Sequence, residues 1–221
     1  MARPKEFDPT VALDRAMELF WEQGYEATSI EALVQAMGIQ RGSLYATFGS
    51  KRDLFLAALE RYREQSITHL ERIFAETASP LSAIESALDR IIDQTFEHKR
   101  RWGCFVTNSS VELAIRDSDI LSQVLGHRDR VQELFASAIR QGQAAGEIRA
   151  NEAPEALANF LFGIIQGLRV MTKTAESRTE LDDIVRIAVD SLRSAGDQEI
   201  ERLGDLGFDE LKDQHSNLLI S

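Results

Sequence analysis

The sequence predicts an all-α protein. Apolar residues recur at three- and four-residue spacing along most of the chain, the period of a helix with one buried face. Proline is rare, four in 221 residues, and Ala, Leu, Glu, Arg and Ile, mostly good helix formers, are common. No alternating apolar–polar run of strand length appears.

The helix boundaries are clearest before Lys51. Asp8-Pro9 pairs an N-cap residue with proline at the first helical position. Val11, Leu13, Ala16, Met17, Leu19 and Phe20 follow at helical spacing, and Gly24 is expected to end the helix as a left-handed cap. Thr28 and Glu31 have the spacing of a capping box. They open a short helix with Ile30, Leu33, Val34 and Met37 apolar, stopped by Gly38. A third short helix is expected from about Gln40 to Phe48, with Ile39, Leu44 and Phe48 turned inward. Gly49-Ser50 breaks it. Ser50 and Asp53 repeat the cap pattern at the start of a long helix through Leu54, Leu59 and Tyr62.

Later signals are weaker but of one kind. Ser79-Pro80 opens a helix carrying Leu81, Ile84, Leu88, Ile91, Ile92 and Phe96, and Trp102-Gly103 interrupts the pattern. A short helix from about Cys104 to Ile115 precedes a longer one, capped by Ser118 and ending near Gly146. Ala153-Pro154 starts a strongly apolar helix through about Lys173, and an amphipathic helix runs from about Thr179 to Arg193. From Gly196 onward seven acids face two bases, so this segment is expected to be a frayed tail or a loosely docked helix.

The net charge of −11, taken alone, argues against nucleic acid as a partner, but the distribution matters more. Residues 1–52 carry only −1, and residues 40–52 hold Arg41, Lys51 and Arg52 with no acid. An acidic body with one basic edge attracts phosphate there and repels it elsewhere. The competing reading of three such charges is an ordinary solvated surface.

Three short helices with Gly38 in the second connection describe a helix-turn-helix. The second helix of the pair must bury one face and offer a small, polar, basic face to the major groove. Ile39, Leu44 and Phe48 supply the first face, and Gln40, Arg41, Gly42, Ser43, Tyr45 and Thr47 the second. A glycine at position 42 costs about 1 kcal/mol of helix stability relative to alanine, so close approach of the backbone to a duplex is the better reason for it.

These residues resemble the tetracycline-repressor (TetR) family. The resemblance rests on Ala16 to Phe20, Gly24 to Ile30, Ile39 to Tyr45, Phe48 and Lys51 to Leu54, which fall in one register over about residues 10–60. It implies about nine helices, with an N-terminal three-helix DNA-binding domain (1–52) joined by a long helix to a helical effector-binding and dimerisation domain (53–195). An acidic tail (196–221) follows. It also implies a homodimeric, ligand-responsive regulator, expected to be a repressor, bound to double-stranded operator DNA and released by a small-molecule or electrophile inducer.

On this sequence the resemblance places Thr28, Tyr45 and Lys51 against phosphate. Gln40, Arg41, Gly42 and Ser43 lie against base edges or adjacent backbone, and Thr47 is a further contact. Arg3 and Lys5 are candidates for a flexible arm. Arg41 is the best reader of guanine, although arginine also binds phosphate. Tyr45 can also be read as a core aromatic, and Lys51 as a plain surface charge.

The resemblance further assigns the dimer face to the last two helices, with Phe160, Gly163, Ile164, Gly167, Leu168 and Met171 on one and Ile184 and Ala188 on the other. Packing within the subunit is the competing reading. Candidate effector-site residues are Phe74, Ile91, Phe96, Trp102, Cys104, Phe105, Phe135 and Phe162, with plain core packing the favoured reading of each. Cys104, the single cysteine, follows Arg100, Arg101 and Gly103 at an expected helix start, where cations and the helix dipole favour thiolate. The segment resembles one in family members that sense electrophiles through a cysteine, and simple burial is the competing reading.

Enzyme classes fit less well. His69, His98, His127 and His215 make no metal-ligand spacing, and there is no phosphate loop or Gly-x-Ser-x-Gly elbow. No cofactor or metal is expected. A Cys104–His98 pair is the remaining catalytic reading. Two non-enzymatic readings also stay open: a scaffold that binds effector but not DNA, and a transcription activator of the same fold. A lone cysteine, no apolar run of membrane-spanning length, and an N-terminus without an apolar core predict a cytoplasmic protein outside the membrane.

Overall fold

A computed structural model describes residues 7–98 and 101–194. The proposed N-terminal arm, Arg3 and Lys5, lies outside the described residues, as do Arg100, the side chain of His98 and the acidic tail. Among the described residues there are nine helices: α1 Pro9–Gln23, α2 Ile30–Met37, α3 Arg41–Phe48, α4 Lys51–Glu76, α5 Pro80–His98, α6 Phe105–Glu112, α7 Ser118–Ala145, α8 Pro154–Met171 and α9 Thr179–Asp190. Their only extended pairing is an isolated bridge between Ile148 and Arg193.

Local chemistry accounts for most of the boundaries. The Asp8 side chain accepts from the Thr10 amide at 2.8 Å, with Pro9 opening α1. Ser50 and Asp53 form a full capping box at the start of α4. Gly38 and Gly146 close α2 and α7 in the left-handed conformation.

Three expected caps shift. Ser29, not Thr28, caps α2, accepting from the Ala32 amide at 3.0 Å. Thr28 is fully buried and its hydroxyl donates to the Gly24 carbonyl at 2.6 Å. Two adjacent residues can cap, and the β-branched one goes into the core. Asp117, not Ser118, caps α7, accepting from the amides of Asp119 and Ile120. A carboxylate is the stronger acceptor for helix-end amides. Gly24 has φ 82° and ψ 173°, so it leaves α1 in an extended direction rather than as a left-handed helical cap.

The apolar residues separate into two cores. One gathers Ala16, Phe20, Leu33, Leu44, Leu54, Phe55, Leu59 and Phe105, joining α1–α4 to α6. The other gathers Ile84, Leu88, Ile92, Phe135, Ile139, Leu161, Leu168, Leu181 and Leu192 between α5 and α7–α9. α4 runs through both, with Leu54 and Leu59 in the first and Ile67, Leu70 and Phe74 against the second. The sequence-based boundary at residue 52 is therefore not a structural gap.

Candidate DNA-binding face and effector cavity

The outer side of α3 is built on a single anchor. Leu44 is fully buried. Around it Gln40, Arg41, Gly42 and Tyr45 are exposed, while Ser43 and Thr47 are half-buried. A Cβ built on Gly42 would meet nothing within 4 Å, so that part of the surface is open. Gln40 makes no side-chain cap bond.

The cations of this face are held in place. The Arg41 guanidinium donates to Glu31 at 3.0 Å and sits 5.8 Å from the Tyr45 ring centroid. The Lys51 ammonium lies 4.3 Å from the Tyr25 ring centroid, a cation–π distance. Arg52 is drawn away. It donates to both carboxylate oxygens of Asp117 at 2.7 and 2.8 Å, which raises its own pKa and lowers that of Asp117 to about 2. Thr28 is a correction to the expected phosphate set. Its hydroxyl is committed to Gly24 and its amide to the Tyr25 carbonyl, so neither group is free to meet DNA.

Two adjoining cavities, of about 230 and 280 Å³, lie where α1, α4, α5 and α8 meet. Trp21, Tyr62, Arg90, Ile91, Gln94 and Arg169 line both. Of the candidate effector-site residues, Ile91 lines both, Phe135 the first and Cys104 the second. Phe74, Phe96, Trp102, Phe105 and Phe162 do not line these cavities. Phe105 packs between Phe55 and Tyr62, and Phe96 and Phe162 lie against the core. Trp102 stacks edge-on to Trp21, one layer behind the wall. Aromatic type alone could not tell wall from core, and the polar wall residues carried no motif that marked them. Trp21 and Met17 are the larger surprise, because the wall includes side chains from the DNA-binding domain itself.

Cys104 is buried at the start of α6. Its Sγ accepts a hydrogen bond from the Arg169 guanidinium. Burial pushes the thiol pKa up, but Arg169, Thr107 and Tyr62 outweigh it, and the net direction is down. Gly103, at φ 69°, makes this contact possible, since a Cβ there would lie 2.9 Å from the Arg169 carbonyl oxygen. The cation that favours thiolate here is thus an arginine of α8, which the local sequence around Cys104 did not mark.

On the expected dimer face, Phe160 and Met171 are exposed, and a Cβ at Gly163 or Gly167 would meet nothing. Ile164 and Ile184 are half-buried against the core. Leu168 and Ala188 are corrections: both are buried in the subunit's own core. Val170 and Ile187 join the exposed apolar residues of these helices, and their helical positions could have marked them.

Among the described residues no helix is long and apolar enough to cross a membrane, and no group of three or more His, Cys, Asp or Glu could hold a metal. The family model for bacterial regulatory proteins of the tetR family matches residues 12–58. The model for a tetracyclin repressor-like C-terminal domain matches residues 80–188. The chain is 35% identical over 192 residues to the HTH-type transcriptional repressor ComR of Escherichia coli (strain K12), covering 86% of this chain and 90% of ComR. It is 31% identical over 194 residues to the uncharacterized HTH-type transcriptional regulator YezE of Bacillus subtilis (strain 168), covering 87% of this chain and all of YezE. A cysteine mutant of the TetR family transcriptional regulator CifR, complexed with 26bp double-strand operator DNA, aligns with a TM-score of 0.78 at 30% identity, over 86% of this chain and 100% of that one. With both halves of the chain matched, this protein is a DNA-binding transcriptional regulator rather than an enzyme, and it belongs to the TetR family.

Proposed function

We propose that the chain acts in the cytoplasm as a dimeric repressor that reads a palindromic operator through α3 and lets go when its cavity is occupied or Cys104 is modified. The observation that carries this reading is the outer side of α3. Leu44 fixes the helix to the core while Gln40, Arg41, Gly42 and Tyr45 face solvent. Arg41, Gln40 and Ser43 meet base edges or adjacent backbone, with Gly42 allowing close approach. Tyr45, Thr47 and Lys51 meet phosphate. Two such helices are needed, since one reads only a few base pairs. The stripe of Phe160, Gly163, Gly167 and Met171, with Ile187 on α9, offers the apolar face on which two subunits meet.

Selection of bound sequences from random duplex DNA, followed by titration over a range of salt, tests this. Phosphate contacts release counterions, so affinity should fall steeply as salt rises. Lys51→Ala should reduce the slope by about one and weaken all sequences alike, whereas Arg41→Ala should relax preference at one position. Absence of affinity for any duplex at low ionic strength would remove the reading.

A further inference from the structure

The cavity wall has a chemical bias that the whole chain does not share. The protein carries 36 acidic residues against 25 basic ones. Yet among the described residues no Asp or Glu lines either cavity, while Arg90 and Arg169 line both and His69 lines the first. The other end of the space is apolar, formed by Leu70, Ile73, Val131, Phe135 and Ile165.

His69 sharpens the picture. Its Nδ1 lies 2.8 Å from the Arg72 guanidinium, which can only donate. Nδ1 is therefore the acceptor nitrogen. Burial, with Arg90 and Arg72 nearby, keeps the ring neutral, so the proton sits on Nε2. That Nε2 is buried and has no hydrogen-bond partner. A buried N–H without an acceptor is costly, and its place in a cavity wall points to an acceptor supplied from outside. Arg169 adds donors of its own, because its bond to Cys104 uses Nη1 and the guanidinium has five N–H groups.

We propose that the effector is an amphipathic anion, a small carboxylate whose head meets Arg90, Arg169 and His69 and whose apolar body lies against Leu70, Ile73 and Phe135. This rests on the cavity being the effector site. A lipophilic cation would meet two guanidinium groups, and the one acidic side chain among the described wall residues, Cys104, is already bonded to Arg169. A neutral ligand of the same shape could still accept from the guanidinium groups but would forfeit the pairing of opposite charges.

The two tryptophans give the readout. Trp21 lines both cavities and Trp102 touches it, so intrinsic fluorescence reports occupancy without DNA. Octanoate, octanamide and octylamine are titrated into the full-length protein. Octanoate should bind about 10- to 100-fold more tightly than octanamide, the range of a charge-assisted hydrogen bond, and octylamine more weakly still. Arg169→Met should abolish the preference. Because that residue also bonds to Cys104, His69→Phe serves as a second variant and should weaken octanoate several-fold and octanamide less, the amide carbonyl being the weaker acceptor. Equal binding of octanoate and octanamide, preference for the amine, or no binding by any of the three overturns the proposal. Tight octanoate binding that leaves duplex affinity unaltered would retain the anion site and remove instead its role as effector site.

Discussion

The Oε2 of Glu112, at the end of α6, accepts the backbone N–H of Tyr25 at 3.1 Å, from 87 residues along the chain. Its second oxygen accepts the Glu26 amide at 2.9 Å. One carboxylate thus holds the turn that leads into the helix-turn-helix. Gly24 is part of the contact, since a Cβ there would meet the Glu112 carboxylate at 3.0 Å. The opposite end of the same short helix is Cys104, in the cavity wall. A second tie joins the same parts, where the Trp21 indole donates to the Gly103 carbonyl at 3.0 Å.

α6 therefore links the cavity to the DNA-binding domain through a pair of hydrogen bonds that a single substitution removes. Glu112→Ala should cost about 1–2 kcal/mol of stability, as expected for partly exposed bonds to a charged acceptor. It should also reduce the change in duplex affinity on Cys104 alkylation several-fold. Thermal unfolding and duplex titration before and after alkylation measure both. An unchanged response to alkylation in Glu112→Ala would mean that the signal takes another route.

Cys104 should react as a thiolate despite its burial. Arg169 favours the charged form, and the adjoining cavity gives a reagent a way in. Titration of thiolate absorbance should place its pKa below that of ordinary cysteine, and Arg169→Met should move it upward. Iodoacetamide should weaken duplex binding in the wild type and not in Cys104→Ser. Equal loss in both proteins would exclude the sulfur as the trigger.

His127 on α7 gives a separate, structural prediction. It is 4% exposed, neither ring nitrogen has a partner, and burial, with Arg169 and Arg63 near, lowers its pKa to about 3. The unfolded chain takes up this proton near pH 6.5, whereas the folded one resists until about pH 3. Between those values the unfolded state binds more protons, so stability falls as pH falls. The loss is about 1.4 kcal/mol for each pH unit below 6.5. His127→Phe should remove this contribution and leave the protein more stable at pH 5 than the wild type by about 2 kcal/mol beyond any difference at pH 7.5. Parallel pH profiles of denaturant unfolding for the two proteins would rule it out.

Most helix boundaries were legible in the sequence, because caps, prolines and glycines act within one turn. Asp8-Pro9, Ser50 with Asp53, and Gly38 work through their own neighbours, so local spacing was enough to place them. The outer face of α3 was legible for a similar reason: its polar residues needed only the helical period and one buried leucine. Three-dimensional packing was required to settle which of two adjacent cap residues is buried, as with Thr28 and Ser29, and which aromatics line a cavity rather than fill a core. Packing also brought Cys104 to Arg169, 65 residues along the chain. Those outcomes depend on side chains that meet only when α1, α4, α5, α6 and α8 close around one space. Nothing in the local chemistry of Trp21, His69 or Arg169 records which wall each will join.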